Sequence, residues 1–198
     1  MRSIAVLLLA FAGPAALAQD SMYVGIGLAS FRYEEDVNFL LLSPEHVSKS
    51  VTAQKLFGGF EFNDYVGIEI AYGKSGDVRA SRSENIFDFG LVTSTYETDF
   101  TITSLRVIGM LPRDWGVLLG GLGYFSADSD IAVRVSADCC TPFSTGGSIS
   151  DDGLTTMLGI EWRFGRFGTR YALRLEYEHW DISEVDTSAI GVAFSYGF

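Results

Sequence analysis

Two cysteines, two histidines and four prolines are all that the 198 residues contain. Each scarcity removes a class of function. Two cysteines, adjacent at Cys139 and Cys140, cannot build a disulfide framework, and no CxxC spacing or neighbouring histidine completes a metal site. Free thiols, a bridge between the two neighbours and an intermolecular bridge all stay open. The histidines, His46 and His179, stand with no Ser/Asp constellation of the kind nucleophilic catalysis needs. The expectation is therefore no enzyme and no cofactor. Basic residues are also short, 14 Lys and Arg against 25 Asp and Glu, a net charge of −11 that argues against nucleic acid as a partner. Beyond the N-terminus there is no run of about 20 apolar residues, hence no transmembrane helix.

What is present begins with a leader pattern. Arg2 gives a short positive region, Ile4 to Phe11 an apolar run, and Ala16-Leu17-Ala18 a small-x-small end. Residues 1–18 are expected to be a signal peptide and 19–198 a single exported domain. That domain holds most of the 22 glycines, and 47% of the whole sequence is hydrophobic.

Residues 57 to 73, FGGFEFNDYVGIEIAYG, carry the clearest pattern. Val66, Ile68, Ile70 and Tyr72 alternate with Gly67, Glu69, Ala71 and Gly73, the period of a strand with one apolar face. A turn is expected at Asn63-Asp64. Similar alternation runs from Met22 to Ala29, through Ser104 to Val107, from Leu158 to Arg163, from Tyr171 to Glu178 and from Ala189 to Phe198. Trp115 to Ser126 is too uniformly apolar to assign faces. About eight strands result. Short links are expected near 63–64, 111–114 and 165–168, and long excursions near 33–50, 74–90 and 127–152, with a brief polar link from Asp181 to Asp186. Alternating link lengths place all tight turns at one end of an up-and-down barrel, and a sheet that spans lipid has to close on itself.

The last strand indicates which face is outside. Ile190, Val192, Phe194, Tyr196 and Phe198 oppose Ala189, Gly191, Ala193, Ser195 and Gly197. A row of small residues makes a poor water-facing surface but fits the inside of a narrow barrel. The predicted class is all-β, an eight-stranded antiparallel up-and-down transmembrane β-barrel.

With those residues in view, the chain resembles the small outer-membrane barrels related to the membrane domain of outer membrane protein A. GGFEFNDYVGIEIAYG resembles that family's second and third strands, GIEW at 159–162 its sixth, and LRLEYEHW at 173–180 its seventh. The resemblance implies an outer-membrane location with the termini in the periplasm. It also implies contact with outer-membrane lipid, and loops available to host or surface ligands. The final strand, with Phe194, Tyr196 and Phe198, resembles the signal recognised by the barrel assembly machinery. No peptidoglycan-binding domain is expected after the barrel.

Glu69, Arg106, Glu161 and Arg174 lie on inward faces at similar counts from the turns. Charges at that depth must be paired or hydrated. The resemblance implies interior ion pairs, Glu69 with Arg174 and Arg106 with Glu161, that plug the lumen or line a narrow ion path. His46 reads as a loop residue and His179 as an interface residue near the outer rim. The acidic groups Glu34-Glu35-Asp36, Asp128/Asp130 and Asp151-Asp152 lack calcium-loop spacing and read as solvated charge. Two roles follow: a structural barrel serving envelope integrity or surface interaction, or a narrow porin-like channel for ions and very small solutes.

Overall fold

The computed structural model describes residues 22–37, 45–86, 90–165, 170–182 and 185–198. The 1–18 leader, the Phe39–Leu42 centre of the first excursion and most of the 165–168 turn lie outside the described residues. Every described element is a strand: β1 (Met22–Val37), β2 (Glu45–Asn63), β3 (Val66–Ser75), β4 (Val78–Ile86), β5 (Gly90–Arg113), β6 (Gly116–Ala137), β7 (Cys140–Phe164), β8 (Arg170–Ile182) and β9 (Val185–Gly197).

The strands pair antiparallel in the order β3-β2-β1-β9-β8-β7-β6-β5-β4, and β3 also pairs with β5. That last ladder closes the ring. β3 and β4 share one place in it, because both lie along β5. Val66–Lys74 pairs with the stretch 101–109, and Val78–Ile86 with the stretch 90–98. The result is a closed barrel of eight positions, one of them a strand interrupted at Gly76-Asp77. At the turn end of the barrel, Asn63 Oδ1 accepts from the backbone N–H of Tyr65 (2.8 Å) and of Val66 (2.9 Å), which fixes the β2–β3 turn.

Side chains alternate as a lipid-facing barrel requires. Ile26, Leu56, Ile70, Leu105, Leu122, Leu158, Leu175 and Ile190 all face outward, Leu158 with 66% of its surface exposed. Ala189, Ala193 and Ser195 of β9 are buried in the lumen. In β6 the ambiguous run resolves with Val117 and Leu119 inside and Leu122 and Tyr124 outside. Two glycines make room for large lumen groups. A Cβ on Gly59 would collide with the Tyr23 ring, and one on Gly123 with the backbone and Cβ of Arg106.

The structure corrects the three long excursions. They are largely strand. β1 and β2 continue to Val37 and from Glu45 as one paired hairpin. β4 occupies most of the second excursion, and β6 and β7 run together through the third as far as the Ala137–Cys140 pair. The Leu111-Pro112-Arg113-Asp114 turn is also displaced. β5 continues to Arg113, pairing with Gly116, and Asp114-Trp115 make the turn. In the Asp181–Asp186 link, β8 continues to Ile182 and β9 starts at Val185.

Beyond the apolar belt, β4, β5, β6 and β7 therefore form a four-stranded arm. From Cys140 to Asp152 it extends about 40 Å at ~3.3 Å per residue. Among the described residues this part of β7 pairs only with β6, because pairing with β8 starts at Thr155–Trp180. On the opposite side, β2 pairs with β3 only up to Ala53–Ser75. The β1–β2 hairpin leans on the inner face of the arm and on β8 through rings. Phe31 meets Phe100 (5.6 Å) and Trp180 (5.8 Å), and Tyr33 meets Phe100 at 5.3 Å. The hydroxyls of Tyr33 and Tyr96 are 3.1 Å apart. Each such ring pair contributes on the order of 0.5–1.5 kcal/mol beyond its buried area. This aromatic cluster caps the lumen.

Candidate functional site

Beneath the aromatic cap the lumen is filled by charge. Glu69 and Arg106 are register partners on β3 and β5, and Glu161 and Arg174 on β7 and β8. Arg174 connects the two pairs across the lumen. Its Nη1 donates to Glu69 Oε2 at 2.6 Å, while Nε (3.1 Å) and Nη2 (3.0 Å) both donate to Glu161 Oε2. Tyr23 donates its hydroxyl to the same Glu69 oxygen at 2.9 Å. The guanidinium also lies over the Phe57 ring, 4.8 Å from its centroid. All four residues predicted from the sequence are buried, Glu69 and Arg106 almost completely at 0% and 1% exposed.

One predicted pairing is not formed. Arg106 is not paired with Glu161; its Nη1 lies 2.7 Å from Glu178 Oε1 and its Nε 3.4 Å from Glu69 Oε1. Glu161 instead takes Arg174 together with Arg163, whose Nε donates to it at 2.6 Å. The cause is stagger: neighbouring strands in a barrel are sheared, so equal residue counts from a turn do not give equal heights across the lumen.

Six residues beyond the predicted four complete the layer. Lys55 Nζ donates to Glu176 Oε1 (2.6 Å) and Glu178 Oε1 (2.5 Å). At the turn end, Arg163 and Arg170 both reach Glu61, each at 2.9 Å. Five cations (Lys55, Arg106, Arg163, Arg170, Arg174) thus stand against five carboxylates (Glu61, Glu69, Glu161, Glu176, Glu178). The sequence held a signal for these additions. Lys55, Glu61, Glu176 and Glu178 all fall on the inward parity of their strands.

Arg106 is held by its ion pairs to Glu178 and Glu69, whereas Glu176 Oε2 in the layer and Trp180 Nε1 in the cap lack hydrogen-bond partners among the described residues. Glu176 and Trp180 line a small cavity between the charge layer and the cap, together with Lys55, Ser75, Ser104 and Glu178. Its volume of ≈ 40 Å³ exceeds the 10–15 Å³ or so that one water needs.

The sequence of residues 3–198 matches the outer membrane protein beta-barrel domain family. The chain belongs to that family. Its members' location is the outer membrane, and this barrel shares it. No curated protein matches the sequence. Among solved structures, Ail, the attachment invasion locus protein of Yersinia pestis, aligns over 90% of this chain and 99% of its own, at 17% identity and a TM-score of 0.55. The Neisserial surface protein A aligns over 89% and 97%, at 10% identity and a TM-score of 0.51. A second Ail structure holds a heparin analogue, sucrose octasulfate, and aligns with a TM-score of 0.54. At these identities the likeness establishes the fold: a small closed outer-membrane barrel.

The remaining predicted positions of this family member are placed as follows. Phe194, Tyr196 and Phe198 lie on the outward face at the turn end, in a run of rings that includes Tyr171–Phe194 (5.8 Å), Tyr171–Tyr196 (5.4 Å) and Tyr196–Phe198 (6.1 Å). His179 is half-buried on β8, next to Trp180 of the cap. His46 belongs to β2, and its side chain lies outside the described residues. Cys139 and Cys140 are bonded to each other, which selects one of the three alternatives left open by the sequence.

Proposed function

We propose that this barrel is a non-enzymatic outer-membrane protein whose lumen is plugged and whose arm contacts other surfaces. In this reading the 1–18 leader directs export and the turn end faces the periplasm. Phe194, Tyr196 and Phe198 present the assembly signal to the barrel assembly machinery, outer-membrane lipid covers the apolar belt, and the arm projects from the cell. Glu69, Arg106, Glu161 and Arg174, with Lys55, Glu176 and Glu178, act as the plug.

One observation carries the surface role. Residues 140–150 of β7 are exposed on both faces and pair on one side only among the described residues. A free strand edge is a template for an extended segment of another protein, with backbone hydrogen bonds giving affinity and alternate side chains giving selectivity. Phe143 and Ile149, 57% and 58% exposed, lie on one face of that edge and supply apolar contacts. Most cations in and beside the arm are already engaged, Arg79 with Glu97, Arg82 with Glu84 and Lys74 with Asp99, while Arg134 of β6 stands exposed. With a net charge of −11, a polysulfated ligand of the kind bound by Ail would be repelled. A protein segment fits better.

Cells displaying the chain should adhere to surfaces coated with extracellular-matrix protein. A Phe143→Ser/Ile149→Ser variant at equal surface density should fall to the level of cells lacking the chain. Equal adherence of wild type and variant would remove the edge from the reading. In the same reading, deleting Phe198, or changing Tyr196 and Phe198 to Ser, should sharply lower the amount of heat-modifiable barrel in outer-membrane fractions. Wild-type amounts would mean that assembly reads another feature.

The small cavity, with Glu176 Oε2 and Trp180 Nε1 unbonded at its wall, favours a second reading, a hydrated ion path. Planar-bilayer recordings decide between them. The plugged barrel should show no conductance steps above the lipid baseline, and reproducible small steps would assign the channel role.

A further inference from the structure

The barrel and the charge layer leave the Cys139–Cys140 bond unused. It lies at the far tip of the arm. β6 ends at Ala137, β7 starts at Cys140, and Asp138 and Cys139 make the turn between them. Asp138 Oδ2 accepts from the backbone N–H of Leu91 at 3.2 Å, so this turn is tied to the start of β5. Both cysteines are exposed, as are Asp138, Thr141 and Pro142 beside them.

The bond is badly placed to act as a staple. A disulfide stabilises chiefly by restricting the unfolded chain, more so for longer loops. This one joins chain neighbours and encloses no loop. The hairpin is already held by its ladder, from Ala137–Cys140 down to Val117–Glu161. A bridge that constrains little and is open to attack has the features of an exchanging disulfide, because access governs exchange.

We propose that Cys139–Cys140 is a thiol-exchange site at the tip of the arm, taking peptide thiols as its ligand. A thiolate attacks the Sγ of one cysteine and forms a mixed disulfide as the Cys139–Cys140 bond breaks. The electron pair leaves on the Sγ of the other cysteine. Because the two are adjacent in the chain, that freed thiolate stays beside the mixed disulfide and can expel the ligand thiolate again. Attachment is therefore covalent, reversible and independent of any oxidant. A second thiol attacking the mixed disulfide would leave both cysteines reduced and release the ligand as its own disulfide.

Glutathione is the probe. The full chain, refolded in detergent and confirmed by its heat-modifiable gel mobility, is incubated with reduced glutathione, quenched with acid and analysed by intact mass and peptide mapping. Wild type should show a transient glutathione adduct on the 139–140 peptide, followed by the reduced pair. Cys139→Ser and Cys140→Ser, offered oxidised glutathione, should each exchange one thiol and keep the adduct severalfold longer, since the expelling neighbour is gone. Barrel mobility should be unchanged in the Cys139→Ser/Cys140→Ser double variant. The proposal falls if the folded wild type gives neither adduct nor reduced pair while the urea-unfolded chain reacts. It falls equally if the double variant no longer forms the barrel, since the bond would then be a structural staple.

Discussion

Replacing Arg174 with Leu should lower the stability of the barrel by about 3–5 kcal/mol, the usual cost of removing one partner from a buried ion pair. The expected loss is at the upper end because Arg174 serves two carboxylates. Glu69 would keep Tyr23 as a hydrogen-bond donor and Arg106 at 3.4 Å, and Glu161 would keep Arg163. Removing Glu69 as well should recover much of the loss, because Glu161 retains that second cation. Removing Glu161 instead should recover less, because Glu69 is fully buried and its remaining cations, Arg106 at 3.4 Å and Lys55 at 4.0 Å, are more distant than the Arg163 that Glu161 keeps at 2.6 Å. Urea titrations in lipid vesicles across the two cycles would measure this. Strictly additive losses in both would show that Arg174 does not bridge these groups.

Lys55→Met is expected to have an effect of similar size, by a different route. The ammonium holds apart two carboxylates of β8, Glu176 and Glu178, that approach it from the same side. Without it, two like charges face each other in a low-dielectric lumen, and one has to take up a proton or move. The rescue should be unequal. Glu178 retains Arg106 at 2.7 Å, whereas the next cation for Glu176 is Arg174 at 3.8 Å. Lys55→Met/Glu176→Gln should therefore recover most of the stability, and Lys55→Met/Glu178→Gln clearly less. Equal rescue by either glutamine would mean that water, and not Arg106, holds Glu178.

The barrel was legible because lipid enforces a simple rule. Wherever a strand faces hydrocarbon its outward residues must be apolar, so Val66–Tyr72, Leu173–Tyr177 and Ile190–Phe198 alternate cleanly. Beyond the belt that pressure ends. Residues 140–150 meet water on both faces, carry no period of two, and their Ser, Gly and Thr look like a loop. Yet a trace of order was available in β6, where Ile131, Val133 and Val135 alternate with Asp130, Ala132 and Arg134. The charge layer was legible by parity and not by partner. Counting from the turns placed Arg106 level with Glu161, but the register puts Arg106 beside Glu69 and Glu161 beside Arg174. Lys55 carries the same inward parity, but parity alone does not say which carboxylates it reaches.

The two places where the ring comes apart have a use as a depth gauge. An unpaired backbone group is tolerable in water and costly in hydrocarbon. β2 parts from the β3–β4 position just past Ala53–Ser75, where the outward residue of β3 has changed from Tyr72 to Lys74. β7 parts from β8 just past Thr155–Trp180, where the outward residue of β7 changes from Leu154 to Asp152. Two seams on separate walls thus open at the same chemical boundary. Together they mark a waterline on the hull, fixing how deeply the barrel sits in its membrane without reference to any hydropathy scale.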